Sequence, residues 1–245
     1  MSASSESLTG EFARFLHGAD GASARLQRGV ELVVELVDGC DHAGVTVASK
    51  TGVWSAAATD DVVRDGDALQ YALGEGPCLD TVRFEHTVLS HDLISDRRWP
   101  QWAARVVADF GVHAMMSLLL YTEEDTLGAL NLYADQAEAW DADAIAIGHA
   151  LADQLAVAVA DAREIENRGR AMAGRTVIGQ AQGILMERYR IDGERAFDYL
   201  RRISQDTNRK LVAIAEELVR TRQLPDGTPM SPRPTDDPPS DRGSH

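Results

Sequence analysis

Near its C-terminal end the chain gathers basic and amide side chains at positions that core packing does not require. Arg201 and Arg202 are followed by Ser204 and Gln205, and then by Asn208, Arg209 and Lys210. Arg175, Gln182 and Arg188 stand upstream of them. Arginine and lysine neutralise phosphate, and unpaired backbone N–H groups at a helix start add a ready anion site. Ser, Gln and Asn offer both donors and acceptors, which suits reading the edges of unstacked bases. This set of residue types fits contact with nucleic acid. The alternative is a solvated charged face on which Ser204 and Asn208 serve only as caps.

Three helices are expected to position these groups. Val177, Ile178, Ala181, Ile184, Leu185 and Tyr189 recur as one apolar stripe of a first helix. Asp192 is the expected N-cap of a second, whose stripe reads Ala196, Phe197, Leu200 and Ile203. Thr207 or Asn208 is the expected cap of a third, with Leu211, Ile214, Ala215, Leu218 and Val219 at helical spacing and Pro225 as its end. Three inward stripes make a three-helix bundle, and the basic and amide groups are what remains outside.

The charge distribution agrees. The net charge is -15, which taken alone argues against a nucleic-acid partner. Residues 1–164 hold 10 Lys/Arg against 27 Asp/Glu, whereas residues 165–224 hold 12 against 8. A basic end on an acidic protein points to a nucleic-acid module, and the acidic remainder repels phosphate that is not correctly presented.

Upstream the periodicity changes. A helix is expected over 22–38, a hairpin over 43–58 around Lys50-Thr51-Gly52, and a helix over 61–73 ended by Gly74. Gly74 to Pro77 reads as a turn, 86–90 as a short strand, and 99–110 as a helix with Pro100 in its first turn. Two apolar strands, 114–121 and 127–133, flank the acidic turn Glu123-Glu124-Asp125. A long Ala/Ile/Leu/Val helix follows over 141–167 and is able to continue into the basic module. The order gives an α+β fold with an antiparallel sheet flanked by helices, then a long connecting helix and the C-terminal bundle. Leu151, Ala158, Ile165 and Met172 repeat every seven residues, which suits a helix pair between two chains or packing on the chain's own sheet. Gly169, Gly174 and Gly179 are candidates for a bend. A flexible start over 1–19 and a disordered Pro-rich tail over 226–245 complete the expectation.

The ordered features Ala181/Gly183/Ile184/Met186, Ala196-Phe197 with Leu200 to Arg202, and Ser204/Asn208/Lys210-Leu211 resemble the ANTAR domain of bacterial transcription antiterminators. The resemblance spans 166–225 and implies binding of paired, small-looped RNA hairpins in a nascent transcript, with two copies in a homodimer. Many members carry Lys where Gln182 stands; Gln keeps hydrogen bonding and loses a charge. Gly74-Glu75-Gly76-Pro77-Cys78 and the final hairpin ending Gly128-Ala129-Leu130-Asn131-Leu132-Tyr133 resemble the GAF sensor family over 20–165. That resemblance implies a small-molecule effector between sheet and helices, with Trp54, Tyr71, Cys78, Met115 and Asn131 as lining residues or as plain core. The Asn-Lys-x-Asp-type motif of cyclic-nucleotide members is absent, so that ligand class is not supported.

No phosphate-cradling GxxxxGK[ST], HExxH or GxSxG occurs, so no enzyme is expected. No cofactor is called for, and the histidines lack ligand spacing for a metal. Cys40 and Cys78 are expected as free thiols, Cys78 being an oxidant sensor if exposed and otherwise passive. No secretory signal or apolar run of membrane-spanning length is apparent, so a cytoplasmic location and no membrane partner are expected. The whole reads as a signal-responsive RNA-binding regulator of antitermination. The alternatives are a protein-interaction module and a DNA-binding regulator that uses the bundle.

Overall fold

The computed structural model describes residues 10, 12, 21–49, 52–122 and 126–223. The turns around residue 50 and at 123–125, most of the expected flexible start and the Pro-rich tail lie outside the described residues. The chain divides into two compact units, Met1–Glu164 and Ile165–His245.

The first unit contains α1 (Ala22–Leu36), β1 (His42–Ser49), β2 (Gly52–Ala58), α2 (Asp61–Leu73), α3 (Pro77–Phe84), β3 (Val88–Ser90), α4 (Pro100–Phe110), β4 (Ala114–Tyr121) and β5 (Thr126–Ala134). It also holds the first part of α5 (Ala142–Tyr189). The strands form one antiparallel sheet in the order β2-β1-β5-β4-β3. Its central strands are covered on both faces, which is why β4 and β5 are almost wholly buried and apolar. Side-chain alternation sorts the residues between two layers. Met116, Leu118 and Leu120 of β4 join Leu130 and Leu132 of β5, Val30 and Val33 of α1, and Leu151, Leu155 and Val159 of α5. On the other face Met115, Ala129 and Tyr133 meet Val63, Cys78, Trp102 and Val106.

Local chemistry sets the helix ends. The Asp60 carboxylate accepts the Val63 N–H and caps α2, which Gly74 ends in the left-handed region. The expected turn ending at Pro77 instead leads straight into α3, because Pro77 takes the first helical position where its missing N–H costs nothing. Glu75, in the loop before α3, accepts the Gln101 and Trp102 N–H groups and so caps α4 from outside that helix. His42 joins three pieces of this unit: Nδ1 lies 2.7 Å from Asp60 and Nε2 3.3 Å from Asp135, just past β5. Gly128 lets β5 approach β1, since a Cβ there would lie 1.9 Å from the Thr46 carbonyl oxygen.

By length and composition α5 is long and apolar enough to cross a bilayer. Its residues Leu151, Ala152, Leu155, Ala156 and Val159 are instead buried in the core on the α1 side of the sheet. Gly169, Gly174 and Gly179, the candidates for a bend, all lie inside the uninterrupted helix α5. A Cβ at Gly174 would meet Val212 at 3.5 Å, an ordinary van der Waals distance, so packing there does not require glycine.

The second unit consists of the end of α5, α6 (Gly193–Asp206) and α7 (Leu211–Thr221). Ala181, Leu185, Ala196, Leu200, Ile203, Ile214, Ala215 and Leu218 form its core. The Asp192 carboxylate accepts the Arg195 N–H at 2.8 Å and starts α6, as its residue type suggested. Two expectations fail here. Neither Thr207 nor Asn208 caps α7: Thr207 ends α6, Asn208 takes φ +51°, and α7 starts after Lys210 without a side-chain cap. Phe197 is 38% exposed and stays outside the core, because Ala196 and Leu200 already fill the inward face.

Candidate nucleic-acid interface and buried polar site

In the second unit the turn between α6 and α7 is tied by the Ser204 hydroxyl, which donates to the Arg209 carbonyl at 2.6 Å, and by the Arg209 N–H donating to the Ser204 carbonyl at 3.1 Å. That knot brings Gln205, Asn208, Arg209 and Lys210 together, all exposed. The first amides of α7 lack intrahelical acceptors by helix geometry, so the turn presents both cationic groups and backbone donors. Arg209 also reaches Glu217 at 2.6 Å, which aims its guanidinium along α7. Arg201 and Arg202 sit on the exposed side of α6, paired with Asp198 at 2.8 Å and Asp206 at 3.7 Å. Such exposed pairs are weak and exchange readily for phosphate. The other three candidates lie on α5. Arg175 is exposed. Gln182 donates from Nε2 to the Gly193 carbonyl at 3.0 Å, and Arg188 donates to the Arg222 carbonyl at 2.9 Å. These two groups therefore tie α5 to the ends of its neighbours as well as facing outward.

In the first unit three of the five lining candidates converge. Asn131 donates from Nδ2 to Thr46 Oγ1 at 3.0 Å and to Asp67 Oδ1 at 3.1 Å, while its carbonyl accepts the Ser117 hydroxyl at 2.8 Å. The Tyr71 hydroxyl pairs with Thr46 Oγ1 at 2.8 Å and Ser55 Oγ at 3.3 Å. The backbone N–H of Cys78 donates to Gln70 Oε1 at 2.9 Å. Met115 is buried in the same layer as Cys78 and Tyr133. Trp54 is not part of this arrangement: strand alternation turns its neighbour Ser55 inward and leaves Trp54 45% exposed.

The centre of the network is Asp67, which the sequence did not single out. Its carboxyl is fully buried and faces five donors: the Tyr133 hydroxyl, Asn131 Nδ2, Gln70 Nε2 at 3.3 Å, the Ser55 hydroxyl at 2.8 Å and the Thr46 hydroxyl at 3.3 Å. Burial pushes this carboxyl above the ordinary aspartate range, more than the surrounding donors pull it down. The same burial, with the Asp67 charge nearby, pushes the Cys78 thiol up to about 12 and also raises Tyr71 and Tyr133. Cys78 is therefore a thiol without nucleophilic character in this state. The available sequence signal was polar Asp67 and Gln70 on the same helical stripe as buried Val63, inside an otherwise amphipathic helix.

The ANTAR domain family profile matches residues 166–219, and the GAF domain family profile matches residues 22–160. Both families are regulatory rather than catalytic. No curated protein sequence matches the chain. Among solved structures, the GAF domain of an Acinetobacter phosphoenolpyruvate-protein phosphotransferase is 12% identical with a TM-score of 0.53, the match covering 67% of this chain and 98% of that one. The corresponding domain from Coxiella burnetii is 15% identical with a TM-score of 0.53, covering 66% and 96%. A free methionine-R-sulfoxide reductase from Neisseria meningitidis, solved with its substrate, is 12% identical with a TM-score of 0.50, covering 66% and 91%. At such identities these likenesses concern the fold alone. The chain belongs to the GAF-domain family, and it carries an ANTAR domain after its GAF domain.

Proposed function

We propose that the chain is a signal-responsive RNA-binding regulator of transcription antitermination. In this reading the ANTAR unit grips paired RNA hairpins and the GAF unit receives a small effector. The observation that carries it is the exposed α6–α7 turn, with Arg209 and Lys210 beside Gln205 and Asn208, inside a segment of excess positive charge on a protein of net charge -15. A basic edge on an acidic molecule favours phosphate that arrives in one orientation. Binding would hold an antiterminator hairpin at the expense of an overlapping terminator.

Two hairpins call for two ANTAR units, and α5 offers the means. Ile165 and Met172 are 55% and 69% exposed, seven residues apart, on one side of that helix. Burying them against a second copy gives a homodimer. An effector acts if its affinity differs between two states of that pair.

The test is a titration of the full chain with a tandem-hairpin RNA, its loop-scrambled twin and matched duplex DNA. Selective retention of the intact hairpins, weakened by Arg209→Ala with Lys210→Ala and with a shallower salt slope, is the expected result. Equal competition by duplex DNA would replace this reading with a DNA-binding one. A salt-insensitive complex with protein alone would replace it with an interaction module.

A further inference from the structure

We propose that the exposed ring of Phe197 is a stacking platform for one unpaired nucleobase of the bound RNA loop. The proposal rests on the RNA reading above and adds the group that receives the flat face of a base.

Phe197 is an aromatic residue that its own helix does not bury. Ala196 and Leu200, on either side of it along α6, are fully buried, while the Phe197 ring remains 38% exposed. Among the described residues no other ring and no cation packs on it. The ring is thus partly open to solvent with no aromatic or cationic partner among the described residues.

Its position is specific. On α6 the residues one turn either side of Phe197 are Gly193 and Arg201, and Ser204 follows at the seventh position on the same side. Gly193 is the residue whose carbonyl accepts Gln182, and a Cβ on Gly193 would touch the Met186 sulfur at 3.7 Å. Ser204 is the residue whose hydroxyl holds the Arg209 carbonyl. Phe197 therefore stands midway on a stripe that joins Gln182 at one end to the Arg209-Lys210 turn at the other. Phosphate contacts at the basic end and amide donors at the other leave the middle for a base.

The occupant is argued from size and charge. The apolar part of the stripe is one ring and the half-exposed Met186 thioether. That is far below the roughly 800 Å² per partner of a stable protein interface. Arg190 and Arg201 are exposed nearby, at the turn before α6 and one turn after Phe197. An isolated aromatic ring on the same stripe as the Arg209-Lys210 turn fits a base whose phosphates reach that turn, although Glu194 and Asp198 beside the ring leave its own helix turn without excess positive charge. Stacking accepts any base because each has a π face.

The experiment uses the full chain and a tandem-hairpin RNA selected by that chain from a loop-randomised pool, with 2-aminopurine placed at each loop position in turn. Phe197→Ala, Phe197→Leu and Phe197→Trp are compared with the parent, and thermal melting checks that each is folded. One 2-aminopurine position is expected to be quenched by the parent and by Phe197→Trp, but not by Phe197→Ala or Phe197→Leu. Phe197→Ala is expected to weaken binding roughly 5- to 150-fold with an unchanged salt slope, because no ionic contact is removed. If Arg209→Ala with Lys210→Ala weakens binding while Phe197→Ala and Phe197→Leu bind and quench as the parent does, the stacking proposal is wrong and the RNA reading stands. If no RNA is selected at all, both fall. If Phe197→Ala instead turns a dimer into a monomer, the ring belongs to a protein contact and the proposal is overturned.

Discussion

The Gln70 side-chain carbonyl accepts the backbone N–H of Cys78 at 2.9 Å, across the junction between α2 and α3. A backbone amide can only donate, so this bond fixes which way the Gln70 amide points. Its Nε2 must then face Asp67 and Tyr133, at 3.3 and 3.4 Å. One side chain thus both orders the start of α3 and orients a donor toward the buried carboxyl.

Replacing Gln70 by Ala should accordingly cost more than a lost contact. It leaves the buried Cys78 N–H without a partner, at about 1–3 kcal/mol, removes one of three donors to Asp67 Oδ1, which keeps Asn131 and Tyr133, and opens a gap where the side chain packed. The expected loss is about 3 kcal/mol in urea unfolding followed by tryptophan fluorescence, which reports on the GAF unit because Trp54, Trp99, Trp102 and Trp140 all belong to it. A loss below about 1 kcal/mol would mean that water replaces the amide there.

The His42 cluster makes a pH-dependent contribution. Burial lowers the imidazole's proton affinity, but the hydrogen bonds and charges of Asp60 and Asp135 outweigh it, so the folded value lies above the ordinary one. For Asp60, burial acts upward and the His42 and Thr59 hydrogen bonds bring the net value down. The histidine contribution is then full below its ordinary pKa and fades as pH rises through the raised folded value. The Asp60 contribution is present above its ordinary pKa and fades as pH falls through the lowered one. His42→Gln should destabilise by about 0.5–1 kcal/mol near pH 5.5 and by less near pH 9. Asp67 drives overall stability in the same direction with pH, so the informative quantity is the difference between parent and variant at each pH. A pH-independent difference would show that His42 acts by packing alone.

Ile165→Glu with Met172→Glu places two carboxylates on the exposed apolar line of α5. In light scattering the parent is expected at twice the chain mass and the double variant at one. Tandem-hairpin RNA should then bind the variant no more tightly than a single hairpin, since the gain from a linked second site is lost. A monomeric parent would remove the helix pairing from the proposed mechanism.

Gly128→Ala tests the closeness of β1 and β5. The added methyl would overlap the Thr46 carbonyl, which is backbone and cannot swing aside. Thr46 is also a member of the Asp67 network, so the strand cannot retreat without opening those hydrogen bonds. Destabilisation of more than about 3 kcal/mol is expected. A variant with parental stability would contradict the register Thr46↔Ala129 and Val47↔Gly128.

Periodic burial was what the sequence expressed clearly. The stripes of the bundle helices, the Pro100 start of α4 and the strong apolar strands β4 and β5 foretold these elements and the α+β order. What it hid were departures from the rule that apolar means inside. Asp67, Gln70, Thr46 and Asn131 are polar yet fully buried, and only three-dimensional convergence shows that they satisfy one another. Phe197 is the reverse case, an apolar residue at a stripe position whose place was already filled by Ala196 and Leu200. α3 was missed because Gly-Glu-Gly-Pro is an unambiguous break, and a proline serves equally well to end a segment or to open a helix. The cap of α7 was misassigned because Thr207 and Asn208 have capping side chains, whereas the turn is secured by Ser204 and the Arg209 carbonyl instead.

The two cysteines lie on opposite faces of the sheet, Cys40 with α1 and Cys78 with α3. Both are buried, and burial pushes both thiols up to about 12. Neither thiol reacts with an alkylating reagent until its own layer opens, so each becomes a clock for that layer. An effector that enters on the Cys78 side should slow or hasten labelling there, while the rate at Cys40 supplies the internal time base. The fold thus contains a paired chronometer that needs no engineered label.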